Sequence, residues 1–147
     1  MDLQIDDFYR DASAGLLALY QAFPRKITLY VEDLIGHEEP DEFGLPSKRH
    51  QSCLGALIWL AEEGYLRYEN TLQFQALEQA VLTEKAFIRL SAASPESPSA
   101  VDALPPSIRR VQGSLANCLR MALRDGDSER LAQLARQLFC DGLRAKP

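Results

Sequence analysis

The chain has no apolar run of the roughly 18 residues that a membrane-spanning helix needs, which excludes that class of protein. Cysteine is scarce. The three present, Cys53, Cys118 and Cys140, are far apart and each sits among apolar residues at helical spacing. That pattern excludes a disulfide framework and, without any Cys-x-x-Cys pair, a structural zinc of the common kind. Positive charge is also in deficit, with 16 Lys/Arg against 21 Asp/Glu and a net charge of −5. A protein that coats nucleic acid indiscriminately is normally basic, so any DNA contact has to come from a local patch. No glycine-rich phosphate loop, nucleophile elbow or paired-carboxylate site can be traced. His37-Glu38-Glu39 with Asp41 and Glu42 has metal-ligand residue types but not the spacing of a calcium loop or a His-Glu-x-x-His helix. His50 and Cys53, three apart, have no evident orienting carboxylate. These absences argue against an enzyme and against a cofactor or metal.

What is present suits a globular protein. Of 147 residues 46% are hydrophobic and 25% charged, enough for one domain, or a small domain with an appendage. The acidic start, Met1-Asp2-Leu3-Gln4-Ile5-Asp6-Asp7, lacks the basic, then apolar pattern of a secretory signal, so a cytoplasmic location is the expectation. Charge is unevenly spread. Residues 1–92 carry eight Lys/Arg against fifteen Asp/Glu, a net −7, whereas residues 93–147 carry eight against six, a net +2.

Apolar periodicity predicts a first helix from Asp6, as N-cap, to Phe23, stopped by Pro24. Ile27-Thr28-Leu29 suits a short strand. Tyr30–Ile35 suits a short helix ended by Gly36. An acidic loop, Gly36–Pro46, leads to Ser47, which caps a third helix with Lys48 and Arg49 in its first turn. His50, Leu54, Leu57, Ile58 and Ala61 form that helix's apolar face, and Gly64 is its stop. Tyr65–Tyr68 reads as a strand. Its return is ambiguous between Leu72–Ala76, after an Asn70-Thr71 turn, and Glu78–Leu82, after a long loop at Glu69–Leu77; the second is preferred, because Thr83 then caps a helix at Glu84–Leu90. Ser91–Pro106 holds four prolines and four serines and reads as a linker. Beyond it, one stripe (Ile108, Val111, Leu115, Leu119, Ala122) and another (Leu131, Leu134, Ala135, Leu138), joined at Asp125-Gly126-Asp127, predict a helical hairpin. The expected division is 1–92, a linker at 93–106, and a hairpin at 107–147.

This order, together with Glu63-Gly64-Tyr65-Leu66 after the third helix and Val81-Leu82-Thr83-Glu84-Lys85-Ala86 before the fourth, resembles the winged helix-turn-helix superfamily, in particular bacterial regulators of the MarR and PadR types. Ala86 stands where a glycine is usual in the "Leu-Thr-x-Lys-Gly" close of the wing. The resemblance implies a mainly α fold with a small β-wing plus a C-terminal αα-hairpin. It also implies a transcriptional regulator that binds duplex DNA as a homodimer. By position, Ser47, Lys48, Arg49, Gln51 and Ser52 would begin the recognition helix, with Arg and Gln suited to base edges and Lys and Ser to phosphates. Arg25, Lys26 and Arg67 would touch flanking phosphates.

Two features point to a different class. The turn region at Gly36–Pro46 is long and carries Glu38, Glu39, Asp41 and Glu42 beside the helix that would face DNA. The wing, Glu69–Leu77, has no Lys or Arg, and its Leu72, Phe74 and Leu77 suit a protein contact. Ser52, Gly55, Ala56 and Trp59 form a small-residue strip that would receive a partner helix or be filled by the C-terminal hairpin. The alternative is therefore a winged-helix protein-interaction module that does not bind DNA. A cavity for a small effector is a third possibility, with no ligand-specific group to support it.

Overall fold

The computed structural model describes residues 3–95 and 102–144, with side chains as far as Cys140. The described chain is mainly helical with one small antiparallel sheet. Its order is α1 (Leu3–Ala22), β1 (Ile27–Tyr30), α2 (Val31–Ile35), α3 (Lys48–Glu62), β2 (Leu66–Arg67), β3 (Asn70–Leu72), β4 (Ala76–Leu82), α4 (Glu84–Ser91), α5 (Pro106–Gln112), α6 (Leu115–Asp125) and α7 (Ser128–Arg144). Two compact units result, residues 1–86 and 87–147.

In the first unit α1 starts three residues earlier than its sequence suggests. Asp6 lies in its first turn, where a carboxylate favours the helix dipole, and is not the cap. Ala12, Leu16 and Leu19 enter the core with Leu54, Leu57 and Leu60 of α3. Gly15 allows a close approach of the two helices: a Cβ there would lie 2.6 Å from Leu57 Cδ2. The caps of α3 are as its sequence suggests. Ser47 Oγ accepts from the His50 amide at 3.0 Å, and Gly64 turns the chain at φ +82°. Gly36 ends α2 with φ +84°.

The sheet has β4 at its centre, with β1 on one side, while β2 and β3 each pair with a different stretch of β4 on the other. The return strand is longer than Glu78–Leu82. It begins at Ala76, and Asn70–Leu72, expected to be turn or loop, forms β3. The hairpin turns at Gln73-Phe74-Gln75, closed by Gln75 N–H donating to Leu72 O at 2.9 Å. Gln73 takes φ +52° and Gln79, at a register shift against β1, takes φ +56°. Glutamine in the left-handed region carries no sequence signal of a turn, unlike glycine, Asn or Asp. Leu29 pairs with Leu77, and both are buried on the inner face. One position along, Ala76 pairs with Tyr30 and with Leu72; Ala76 is buried, while Tyr30 and Leu72 stay exposed.

Thr83 closes the sheet against the next helix. Its hydroxyl donates to Gly64 O at 2.6 Å and accepts from the Ala86 amide at 3.3 Å.

In the second unit the stripe Ile108 to Ala122 is not one helix. It breaks at Gly113-Ser114, where Ser114 turns extended (φ −71°, ψ 154°) and recaps α6 through the Asn117 amide at 3.2 Å. Leu115, Leu119 and Ala122 are buried with Leu131, Leu134, Ala135 and Leu138 of α7, while Ile108 and Val111 of α5 stay exposed. Gly126 ends α6 at φ +67°, and Asp127 Oδ1 accepts from the Arg130 amide at 3.1 Å. Ala93 bridges to Ser114. Within the stretch expected as a linker, 96–101 lies outside the described residues, as do 145–147 of the expected hairpin.

Candidate functional site

Of the expected reading head at the start of α3, Arg49 is paired within the protein. Arg49 lies within bonding reach of both carboxylate oxygens of Asp11, with Nη1 to Oδ2 at 2.6 Å and Nη2 to Oδ1 at 2.7 Å. The Asp11 side chain is 2% exposed. Asp11 sits on the apolar face of α1 between Phe8 and Leu16, so its charge enters the protein interior and requires a fixed partner. Arg49 is that partner, and the pair ties α1 to α3. Two of its five N–H donors are spent on Asp11, so a base edge would have to compete with that pair. Arg49 is therefore not the unengaged side chain expected from the sequence.

Its neighbours bond locally or stay open to solvent. Ser47 Oγ, besides capping α3, donates to Glu38 Oε1 at 3.0 Å. Gln51 Nε2 donates to Pro46 O at 2.8 Å. Lys48, Gln51 and Ser52 are exposed.

The other candidate cations lie elsewhere. Arg25 is exposed in the turn after α1, and Arg67 is exposed on β2. Lys26 and Arg67 line one open recess with Tyr68, Glu69, Gln79 and Val81. Lys26 also approaches Glu69 at 3.9 Å. Arg67 is opposite Val81, near the end of β4, whereas α3 begins beside the other end, where the His50 ring meets the Phe74 carbonyl. At about 3.3 Å per residue the length of β4 separates the two groups by roughly 20 Å.

The hairpin tip is uncharged and short. Ala76, the first residue of β4, is opposite Tyr30, the last of β1, so only Gln73, Phe74 and Gln75 extend past the sheet. Phe74 is 56% exposed, and Leu72 is exposed beside it. Leu77 is 0% exposed and belongs to the core, because its strand position faces inward with Leu29. It is not an interface residue. Trp59 is 38% exposed and meets Phe8 edge-on at 5.3 Å and Tyr65 in a stack at 6.4 Å. Of the small-residue strip, Ser52 and Gly55 are open and Ala56 is buried.

Below Phe74 lies a cavity of about 220 Å³ walled by the tip, the start of α3, α2 and the acidic loop. Glu32, His37, Glu38, Pro46, His50 and Phe74 contribute to it. Because Phe74 O can only accept, the His50 Nε2 carries the proton of that bond. His37 Nδ1 lies 2.8 Å from Glu32 Oε1 and Nε2 lies 3.2 Å from Glu39 Oε1. The bond to Glu32, then that to Glu39, holds its pKa above the ordinary imidazole value. The Cys53 thiol, beneath Arg49 and Asp11, is pushed up to about 12, by burial first and by the Asp11 charge second. It is buried, as is Cys118, while Cys140 is exposed.

Sequence reading missed Asp11, Glu32 and the joint between His50 and Phe74. Asp11 had a signal, a carboxylate on an apolar helical face; the others depend on long-range folding. Among the described residues no three His, Cys, Asp or Glu side chains are grouped to hold a metal ion, and no helix is long and apolar enough to cross a membrane. No family model matches the chain, and neither a curated protein nor a solved structure matches it.

Proposed function

We propose that the first unit is a winged-helix module that binds protein, not DNA, through the tip of its hairpin and the adjoining acidic surface. The element order helix, strand, helix, helix, hairpin, with the first strand paired to the last, supports the winged-helix reading. One observation carries the choice of partner. Arg49, the residue best suited to read a base, is bound by both arms to buried Asp11. The hairpin agrees with this, since it has little reach beyond the sheet and presents Phe74 and Leu72 without a cation. Gripping a phosphate backbone takes cations within reach of it. Exposed aromatic and aliphatic groups ringed by polar residues suit a protein surface. The free thiols fit a reducing, cytoplasmic setting.

Panning a random peptide library against the purified chain tests this. Enriched peptides should bind the wild type and lose at least tenfold in Leu72→Ala/Phe74→Ala. Peptides indifferent to that double substitution, together with duplex-DNA binding that Lys48→Ala abolishes, would return the module to the DNA-binding class.

A further inference from the structure

We propose that the cavity beneath Phe74 is a receptor for one cationic side chain, arginine above lysine, of the bound partner; this rests on the protein-binding reading above. At about 220 Å³ the space falls below the size of a small-molecule site and suits a single side chain. Glu32 and Glu38 line it together with His37 and His50, and no Lys or Arg does. The Ser47 hydroxyl occupies one oxygen of Glu38, and His37 meets one oxygen of Glu32. A carboxylate accepts about four hydrogen bonds, so both retain capacity. His37 offsets part of the negative charge when protonated, and Glu39 on its other side restores it.

Apolar surface completes the recess. Phe74 is half-exposed and lines the recess with Pro40 and Pro46. An aromatic side chain and carboxylates around one recess favour a flat cation, whose apolar stem can pack on a ring while its donors reach the oxygens. The tip is held in place for this, since His50, itself buried, donates to the Phe74 carbonyl from the first turn of α3. The net −7 of residues 1–92 favours a basic partner over an acidic one.

The experiment uses the full chain and four pools of fluorescent heptapeptides, random except for a central Arg, Lys, Gln or Glu. The Arg pool should bind at least tenfold more tightly than the Gln pool, with Lys between and Glu weakest. Glu32→Gln/Glu38→Gln should erase the preference. Each amide oxygen still accepts from His37 or Ser47, so this variant removes charge while keeping the internal bonds; an unchanged thermal melt checks that. Pools that bind alike and all lose affinity in Phe74→Ala would overturn the cation site and leave the protein-binding reading standing. Absence of binding by every pool would overturn both. An Arg preference that survives Glu32→Gln/Glu38→Gln would overturn the assignment to this cavity.

Discussion

Arg49 shows how one side chain can be legible in kind and misleading in purpose. Two cations at the start of α3 oppose its dipole, which suggests an external task. In the structure Arg49 pairs internally, with a residue 38 positions away on another helix. Arg49→Ala is therefore expected to act on stability before any binding. Leaving the Asp11 carboxylate buried without its partner costs about 3 kcal/mol, at the lower end for such pairs because a quarter of the Arg49 side chain meets solvent. Urea unfolding of the variant measures it. Asp11→Leu/Arg49→Met, which removes both charges and keeps volume, should recover most of the loss. A stability unchanged in Arg49→Ala would mean that water serves Asp11 equally well and that the pair contributes nothing.

At the scale of elements, what could be read from sequence was what is decided within a few residues. Ser47, Gly36, Gly64, Thr83, Gly126 and Asp127 mark helix ends because caps and left-handed turns use side-chain chemistry next to the break. The pairing of Tyr65–Tyr68 with Glu78–Leu82 was legible, but the tight turn and β3 escaped because the turn is built on Gln73 and the bulge on Gln79, residues with no preference for positive φ. The break at Ser114 escaped because the apolar spacing runs on through it, although Gly113-Ser114 offered a stop followed by a cap. The same limit applies to the cavity, whose walls come from α2, α3, the acidic loop and the hairpin tip. The crossing of α1 and α3 gives a prediction at this scale. Gly15→Ala sets a methyl 2.6 Å from Leu57 Cδ2, and Leu57 is fully buried, so the helices must part or the side chain must leave its rotamer. Overpacking of this kind costs about 2 kcal/mol, against roughly 1 kcal/mol gained from helix propensity. The net loss should appear in denaturant unfolding. It should shrink or vanish when Leu57→Ala is added, so the two substitutions are less than additive.

For the molecule as a whole, the placement of charge decides more than its total. A net charge of −5 is compatible with DNA binding if the cations that exist are gathered on one face. Here Lys48 stands at the start of α3, while Lys26 and Arg67 border a recess near the far end of β4, and Glu69 shares that recess. A straight duplex laid along α3 would meet Lys48 and the carboxylates of the Gly36–Pro46 loop together. Counterion release should then be near that of a single contact, so the logarithm of the DNA association constant should fall with the logarithm of salt at a slope of about −1. Proteins that seat six or more phosphates give slopes steeper than about −5. Binding of mixed-sequence duplex across 20–200 mM salt, read by anisotropy, distinguishes these cases. A steep slope that flattens in Lys48→Ala would mean that the separated cations converge on one nucleic acid, and the hairpin tip would lose its claim to be the binding surface. A shallow slope, with weak affinity even at the lowest salt, is the outcome expected of an acidic unit whose best arginine is bound inside it.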